Sequence, residues 1–273
     1  MRVYLSGNDT HDRVLKAFAE GCDGEFVEGW KYEPSPVAVV FGVRKSKVPL
    51  SFPRGEIFRQ QRQNNLDVVV LETGYINRGD GENHHYAAGF NGLNGRADFK
   101  NKGMPEDRRI LLQRNHGHRC LAWRDWGKHI LLCGQVPWDA SVDHVDYLAW
   151  LQEIAGKLQG FGREVRFRPH PKGPKFNLAG CTLSEKSFRE DLEDCWAAVA
   201  FNSNAIVEAM IEGVPGFSFD EGSMAWEVCN RSLDKMLEPE MPERRQWLSD
   251  LAYAQWTPQE MREGKAWRHL CKS

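Results

Sequence analysis

An α/β fold in two domains facing a cleft is what this sequence predicts, on three observations. Short apolar runs of strand length end in glycine or a polar group, as at Val37–Gly42 and Asp67–Leu71. Segments with helical spacing of apolar residues lie between them, as at Val14, Leu15 and Phe18. The alternation breaks off in a glycine-rich stretch near residues 75–108 and then begins again. Strands alternating with helices imply a mostly parallel sheet covered on both faces.

Taken in order, Val3–Leu5 reads as a first strand and Ser6-Gly7-Asn8 as the turn after it. Asp12–Glu20 follows as a helix, Val37–Gly42 as a buried strand, Ile57–Asn65 as a helix and Asp67–Leu71 as another buried strand. Residues 75–108 read as irregular, with glycine at 79, 81, 89, 92 and 95; a loop of that length is functional or mobile. The second block starts with a strand over His129–Val136. An amphipathic helix over Asp143–Leu158 comes next, its apolar face made by Val145, Leu148, Leu151, Ile154, Ala155 and Leu158. Strands at Val165–Arg168, Ala197–Phe201 and Val214–Phe219 alternate with helices at Phe188–Asp194 and Ala205–Glu212. From Glu227 onward the tail reads as helical, with Pro242 and Pro258 opening separate helices. The expected domains are therefore 1–125 and 126–273, the tail going with the second.

The chain of 273 residues is 41% hydrophobic, enough for a real core. Its formal net charge of −2 speaks against a globally basic nucleic-acid binder. Seven scattered cysteines with no Cys-x-x-Cys pair argue against a disulfide framework or zinc ribbon and for a reducing compartment. Met1–Gly7 does not read as a secretory signal, and no apolar stretch approaches the roughly 20 residues that span a bilayer. A cytoplasmic protein is expected.

The chemistry concentrates in the second block. Phe167-Arg168-Pro169-His170-Pro171 holds an imidazole between two prolines, which fix the backbone on both sides, and Arg168 and Lys172 add positive charge. Phe201-Asn202-Ser203-Asn204 then leads into a helix that carries Glu208. A helix start with open N–H groups suits phosphate, an imidazole nearby can donate to the same phosphate, and a carboxylate further on can accept from ribose hydroxyls. Ordinary capping by Asn202 or Ser203 would explain the same residues apart from Glu208. Gly134-Gln135 follows a strand directly, where ligands of open α/β sheets bind; a plain strand-to-helix connection capped by Ser141 or Asp143 would look alike. Gly134, Gln135, Arg168, His170, Lys172, Ser203, Asn204 and Glu208 are thus the candidates for a nucleotide-sugar donor.

These segments, as Gly134-Gln135-Val136-Pro137-Trp138-Asp139-Ala140-Ser141, His170-Pro171 and Ser203-Asn204-Ala205-Ile206-Val207-Glu208-Ala209 through Gly213, resemble the capsule-polysaccharide Kdo transferases. More loosely, Glu72-Thr73-Gly74-Tyr75-Ile76-Asn77-Arg78 is similar to that family's Glu-x-Gly-aromatic-aliphatic-x-Arg segment. The likeness covers roughly residues 67–220. It implies a GT-B glycosyltransferase: two Rossmann-like domains, the donor on the second and the acceptor on the first. It supports nucleotide-sugar transfer more than Kdo as the sugar, because the chain is short for the family and Gly79–Arg109 is distinctive. The donor would be a co-substrate, with no bound cofactor or metal.

A carboxylate in the cleft is needed as base or nucleophile. Glu72, at a strand end beside Gly74, is the first candidate and Asp98 the reserve; Glu72 reads equally well as a structural partner of Arg78. Arg78, Asn91, Asn94 and Arg96 complete the expected acceptor side. His84-His85 and His116-x-His118 have metal-ligand spacing, but a solvated loop accounts for them better. Between Arg108 and Lys128 lie Arg108, Arg109, Arg114, His116, His118, Arg119, Arg124 and Lys128, with Trp123 and Trp126 interleaved. That mixture suits a polyanion, though a solvated face explains it too. The acceptor is accordingly a glycan hydroxyl or, as in phage enzymes of the same architecture, a hydroxylated DNA base. A non-catalytic nucleotide-sugar-binding protein and a two-domain sugar epimerase are the alternatives.

Overall fold

The computed structural model describes residues 1–27, 31–43, 54–117 and 119–272. They form two compact units: residues 1–116 with 248–273, and residues 117–247.

The first unit opens with β1 (Arg2–Tyr4), α1 (Asp9–Glu20), β2 (Glu25–Val27), β3 (Val37–Phe41), α2 (Arg54–Gln63) and β4 (Asp67–Thr73). The glycine-rich stretch is not irregular: it contains β5 (Tyr86–Phe90) and α3 (Asp107–His116). Tyr-Ala-Ala-Gly-Phe lacks the usual strand signature because its small residues are matched to what covers them. A side chain at Gly89 would stand 2.7 Å from the Phe99 ring. α3 gives no helical signal in the sequence because Leu112 is its one buried residue, so it carries no apolar period. β4 runs two residues beyond Leu71 because Glu72 and Thr73 pair with Ala87 and Tyr86 of β5.

The second unit contains β6 (His129–Cys133), α4 (Tyr147–Leu158), β7 (Glu164–Arg168), β8 (Thr182–Leu183), α5 (Phe188–Leu192), β9 (Cys195–Ala200), α6 (Ala205–Ile211) and β10 (Gly216–Ser218). α4 starts later than its apolar pattern suggests. Asp146 caps it by accepting from Ala149 N, and Val145 and Leu148 stay exposed rather than joining the buried face. The chain then passes through α7 (Arg245–Ala252), β11 (Gln255–Trp256), α8 (Pro258–Arg262) and α9 (Lys265–Leu270).

Those last elements correct the expected domain boundary. β11 pairs with β5, and Trp256, Met261 and Leu270 lie in the core with Val14, Phe18 and Val39. α8 presses on the end of α1 so closely that a side chain at Gly21 would meet Met261 O at 1.8 Å. An apolar tail pattern shows that a face must be buried but not which sheet will bury it. Pro258 does open a helix, with a Thr257–Glu260 capping box, whereas the helix expected at Pro242 begins at Arg245.

The first sheet has the order β11-β5-β4-β3-β1-β2. β1 to β4 run parallel, and β5 is antiparallel to both of its neighbours. Alternate residues serve opposite faces: Val39, Phe41, Val69 and Leu71 join one core cluster, while Ala38, Val40, Val68 and Val70 join the other. The second sheet, β10-β9-β6-β7-β8, is parallel throughout. Its parallel strands therefore deliver their carboxyl ends to one edge.

Candidate functional site

At the carboxyl edge of the second sheet the strand order sets out, in sequence, Asp220 after β10, Asn202 after β9, Gln135 after β6 and His170 after β7. Side-chain amides tie three of these loops together. Gln135 Nε2 donates to Asn202 Oδ1 (2.7 Å), and Asn202 N donates back to Gln135 Oε1 (3.0 Å). Asn202 Nδ2 donates to Ser141 O (2.8 Å) and to Asp220 Oδ1 (2.7 Å). Asp220 Oδ2 meets His144 Nε2 at 3.1 Å. The fourth loop joins through the backbone, Gly134 N donating to Arg168 O at 2.8 Å. Gly134 is buried against Phe167 and Pro169, each 3.2 Å from where its Cβ would stand. The Tyr147 hydroxyl accepts from Gln135 N (2.7 Å), and burial pushes its pKa well above the usual phenol range.

The donor candidates divide on this frame. His170 is half-buried, and its Nδ1 accepts from Lys172 N at 3.1 Å. A neutral ring held that way carries its proton on Nε2 and is a donor there. Lys172 is exposed. Ser203 and Asn204 precede α6, with Ser203 Oγ accepting from Ala205 N (3.3 Å). Asn204 occupies the cap position but its side chain does not cap the helix. Instead Asn204 Nδ2 donates to Glu208 Oε1 at 3.0 Å, so the cap residue and the carboxylate are neighbours. Gln135 is a brace rather than a reader, because both ends of its amide are bonded to Asn202. Arg168 also differs from expectation. Its guanidinium donates to Asp191 Oδ2 (2.9 Å), a fully buried carboxylate that also accepts from Ser184 Oγ. A charge buried at Asp191 needs that partner, so Arg168 serves the sheet.

Asp220, His144 and Tyr147 are not among the site residues expected from the sequence, in which Asn202 reads as part of the helix start or as its cap. Asp220 was accessible to the same carboxyl-end rule, since it lies two residues beyond β10. His144, within a loop, offered no signal.

In the first unit Glu72 does stand near the carboxyl end of β4. Its Oε1 accepts from Thr73 N at 2.8 Å. Its Oε2 and Arg54 Nη1 both lie against Gly42, 3.3 and 3.4 Å from the point a Cβ would take there. The Glu72 charge also reaches Tyr75, whose hydroxyl is pushed up first by burial and then by that carboxylate. Gly74 is buried and pinned: a Cβ there would be 2.4 Å from His85 O. Asp98 is displaced from this site. It bridges Phe90, whose strand partner is Val69 near the amino end of β4, so it belongs to the opposite edge of the sheet. Burial alone would raise its pKa, but an ion pair with Lys100 at 2.7 Å lowers it on balance. Asn91 sits at that opposite end too, donating to Asp67 Oδ1 (2.8 Å) and accepting from Val68 N (2.9 Å). Asn94 Oδ1 accepts from the Tyr75 hydroxyl at 3.3 Å. Arg78 and Arg96 are exposed.

Much of the basic stretch is engaged internally. Arg108 donates to Glu260 Oε2 (3.1 Å) and Gln255 O (2.9 Å) and covers the Trp256 ring at 3.9 Å. Arg124 donates to Glu193 O (2.8 Å) and Glu212 O (3.0 Å). Lys128 pairs with Asp194 at 2.8 Å. His85 and His116 approach edge to face at 5.7 Å, with Asn77 Nδ2 near a nitrogen of each; His118 lies outside the described residues. Among the described residues no group of three or more His, Cys, Asp or Glu is arranged for a metal ion, and no helix is long and apolar enough to cross a membrane.

No protein-family model matches this chain, and no curated protein matches it in sequence. Solved structures do. A Thermosulfurimonas dismutans KpsC described as a beta Kdo 2,4 transferase matches with a TM-score of 0.62 at 14% identity, over 92% of this chain and 90% of that one. A beta Kdo 2,7 transferase KpsC of the same organism matches with a TM-score of 0.58 at 13% identity, over 100% and 99%. The chain therefore has the GT-B-like α/β fold of those proteins, with two Rossmann-like units.

Proposed function

We propose that this protein transfers a sugar from a nucleotide-sugar donor to a hydroxyl acceptor, with the donor held at the carboxyl edge of the second sheet. The observation that carries the reading is the fold shared, over nearly the whole length of both chains, with two Kdo transferases. The edge itself supports it. His170, whose Nδ1 accepts from Lys172 N, would offer its Nε2–H to a phosphate, with the Lys172 ammonium two residues later. Glu208, aligned by Asn204, takes the ribose hydroxyls. Charge on the departing phosphate is met by these preorganised donors. Glu72, held by Thr73 N beside Arg54, is the carboxylate that receives the acceptor proton or forms the glycosyl intermediate. The donor is a co-substrate, so the scheme calls for no bound cofactor. A glycan hydroxyl is preferred to a hydroxylated DNA base because Arg108, Arg124 and Lys128 are spent within the protein.

The test is thermal stabilisation by nucleotides and nucleotide sugars, nucleotide-activated Kdo among them, followed by turnover with glycan acceptors. A ligand that binds only the native state raises its stability. Absence of any nucleotide effect would refute the reading. Stabilisation without turnover or slow donor hydrolysis would instead identify a binding protein.

A further inference from the structure

The Asp220–His144 pair lies beyond the donor contacts assigned above. The Asp220 side chain is 9% exposed, and its oxygens divide their work. Oδ1 accepts from Asn202 Nδ2 (2.7 Å) and Gly222 N (2.9 Å), and Oδ2 faces His144 Nε2 (3.1 Å). A carboxylate only accepts, so Nε2 must carry a proton, and in the neutral ring Nδ1 is then the acceptor. The ring is 40% exposed and rests against Phe201, with centroids 5.9 Å apart. A surface imidazole is thus held in one tautomer by a nearly buried carboxylate, and that carboxylate is itself fixed by the amide that braces the whole edge. This is the arrangement of an oriented ligand contact. Its place is informative as well. Asp220 follows β10 and His170 follows β7, so the two histidines mark opposite ends of a row of four strand ends, about 14 Å long at ordinary strand spacing. A phosphate met at one end leaves a hydroxyl-bearing ring to be met at the other.

We infer that His144, oriented by Asp220, is a specificity residue that accepts a hydrogen bond from a sugar-ring hydroxyl of the donor. This rests on the second sheet's edge being the donor site. The hydroxyl belongs either to the ribose or to the transferred sugar, and titration calorimetry separates them. The probes are the four ribonucleoside 5′-monophosphates and nucleotide-activated Kdo. His144→Ala should bind about five- to tenfold more weakly, the worth of one hydrogen bond, with its melting temperature held. Asp220→Asn is the sharper variant. Its amide oxygen can keep both bonds to Asn202 and Gly222, while its NH₂ donates to Nε2 and moves the ring proton to Nδ1. The imidazole stays in place but can no longer accept, so the same loss should appear. A loss already seen with a monophosphate assigns the hydroxyl to ribose; a loss confined to the activated sugar assigns it to the transferred group. Wild-type affinity for every probe in both variants overturns the inference. A wild-type protein that binds none of the probes overturns the donor site itself.

Discussion

The two sheets finish their carboxyl edges by the same device, taken from different places in the chain. In each, a side-chain amide secures the loop after a strand. In the second sheet Gln135 and Asn202 do this for each other, and both sit in loops that directly follow strands of that sheet. In the first sheet Gln255 does it. Its Oε1 accepts from Tyr75 N (2.6 Å) and Ile76 N (3.0 Å), and its Nε2 donates to Ile76 O (3.2 Å). Gln255 is wholly buried and arrives from the C-terminal tail, whereas Asn202 is 5% exposed and Gln135 only half-buried. The second edge is therefore encoded where it stands and leaves polar groups near the surface. The first is completed by a remote segment and closed around Gly74.

That contrast can be broken or sharpened by experiment. The largest expected effect is on Arg168. If it serves the second sheet and not the donor, Arg168→Ala should cost roughly 3–5 kcal/mol of stability, because Asp191 is left charged and buried. Urea unfolding would measure this, and an intact melting curve with lost donor affinity would reverse the assignment. Next is Glu72→Gln, which keeps the size and the bond from Thr73 N. Transfer should fall about a hundredfold or more while donor affinity stays near wild type. Turnover and melting temperature on the one variant decide between a chemical and a structural carboxylate, and a stable, fully active protein would remove Glu72 from the mechanism.

Smaller losses are expected where the second edge meets the donor. His170→Ala and Glu208→Ala should each weaken donor binding by about 1–3 kcal/mol. The Glu208 loss should shrink for a deoxyribose analogue, and equal losses for the two analogues would return that carboxylate to the helix. Gln255→Ala provides the counterpart in the first unit. It should lower the melting temperature through two buried N–H groups left without their acceptor, yet leave nucleotide affinity unchanged.

The smallest effect is shared by both units. Each buries a histidine that donates from Nε2 to a carbonyl: His129 to Asp191 O (2.9 Å) and His269 to Phe99 O (3.0 Å). Burial, with nearby cations adding to it, lowers both pKa values. Below the ordinary histidine value of about 6.5 the unfolded chain then binds more protons than the folded one. Stability is thus complete above that pH and declines as pH falls through it toward the lowered folded values. Melting temperature against pH should show this slope, and His129→Gln or His269→Gln should each flatten part of it.

The sequence by itself determined the parts whose physics is local. Apolar runs of strand length, such as Val37–Phe41 and Asp67–Leu71, cannot be solvated and must be sheet interior wherever the chain goes. The Pro169-His170-Pro171 restraint and the Asn204–Glu208 spacing along α6 likewise follow from neighbouring residues. Glu72 at a strand end was legible for the same reason. Only the tertiary structure decided the rest, because long-range partners choose among locally equivalent options. Arg168 had the charge for a phosphate but was taken by Asp191. Asp98 lay in a stretch without pattern until β5 reversed direction and carried it to the far edge. The tail's apolar residues matched either sheet until β11 paired with β5. The Asp220–His144 contact joins residues 76 positions apart, and no periodicity or motif records a pairing made by two loops that meet only once the sheet has formed with β9 between their strands β10 and β6.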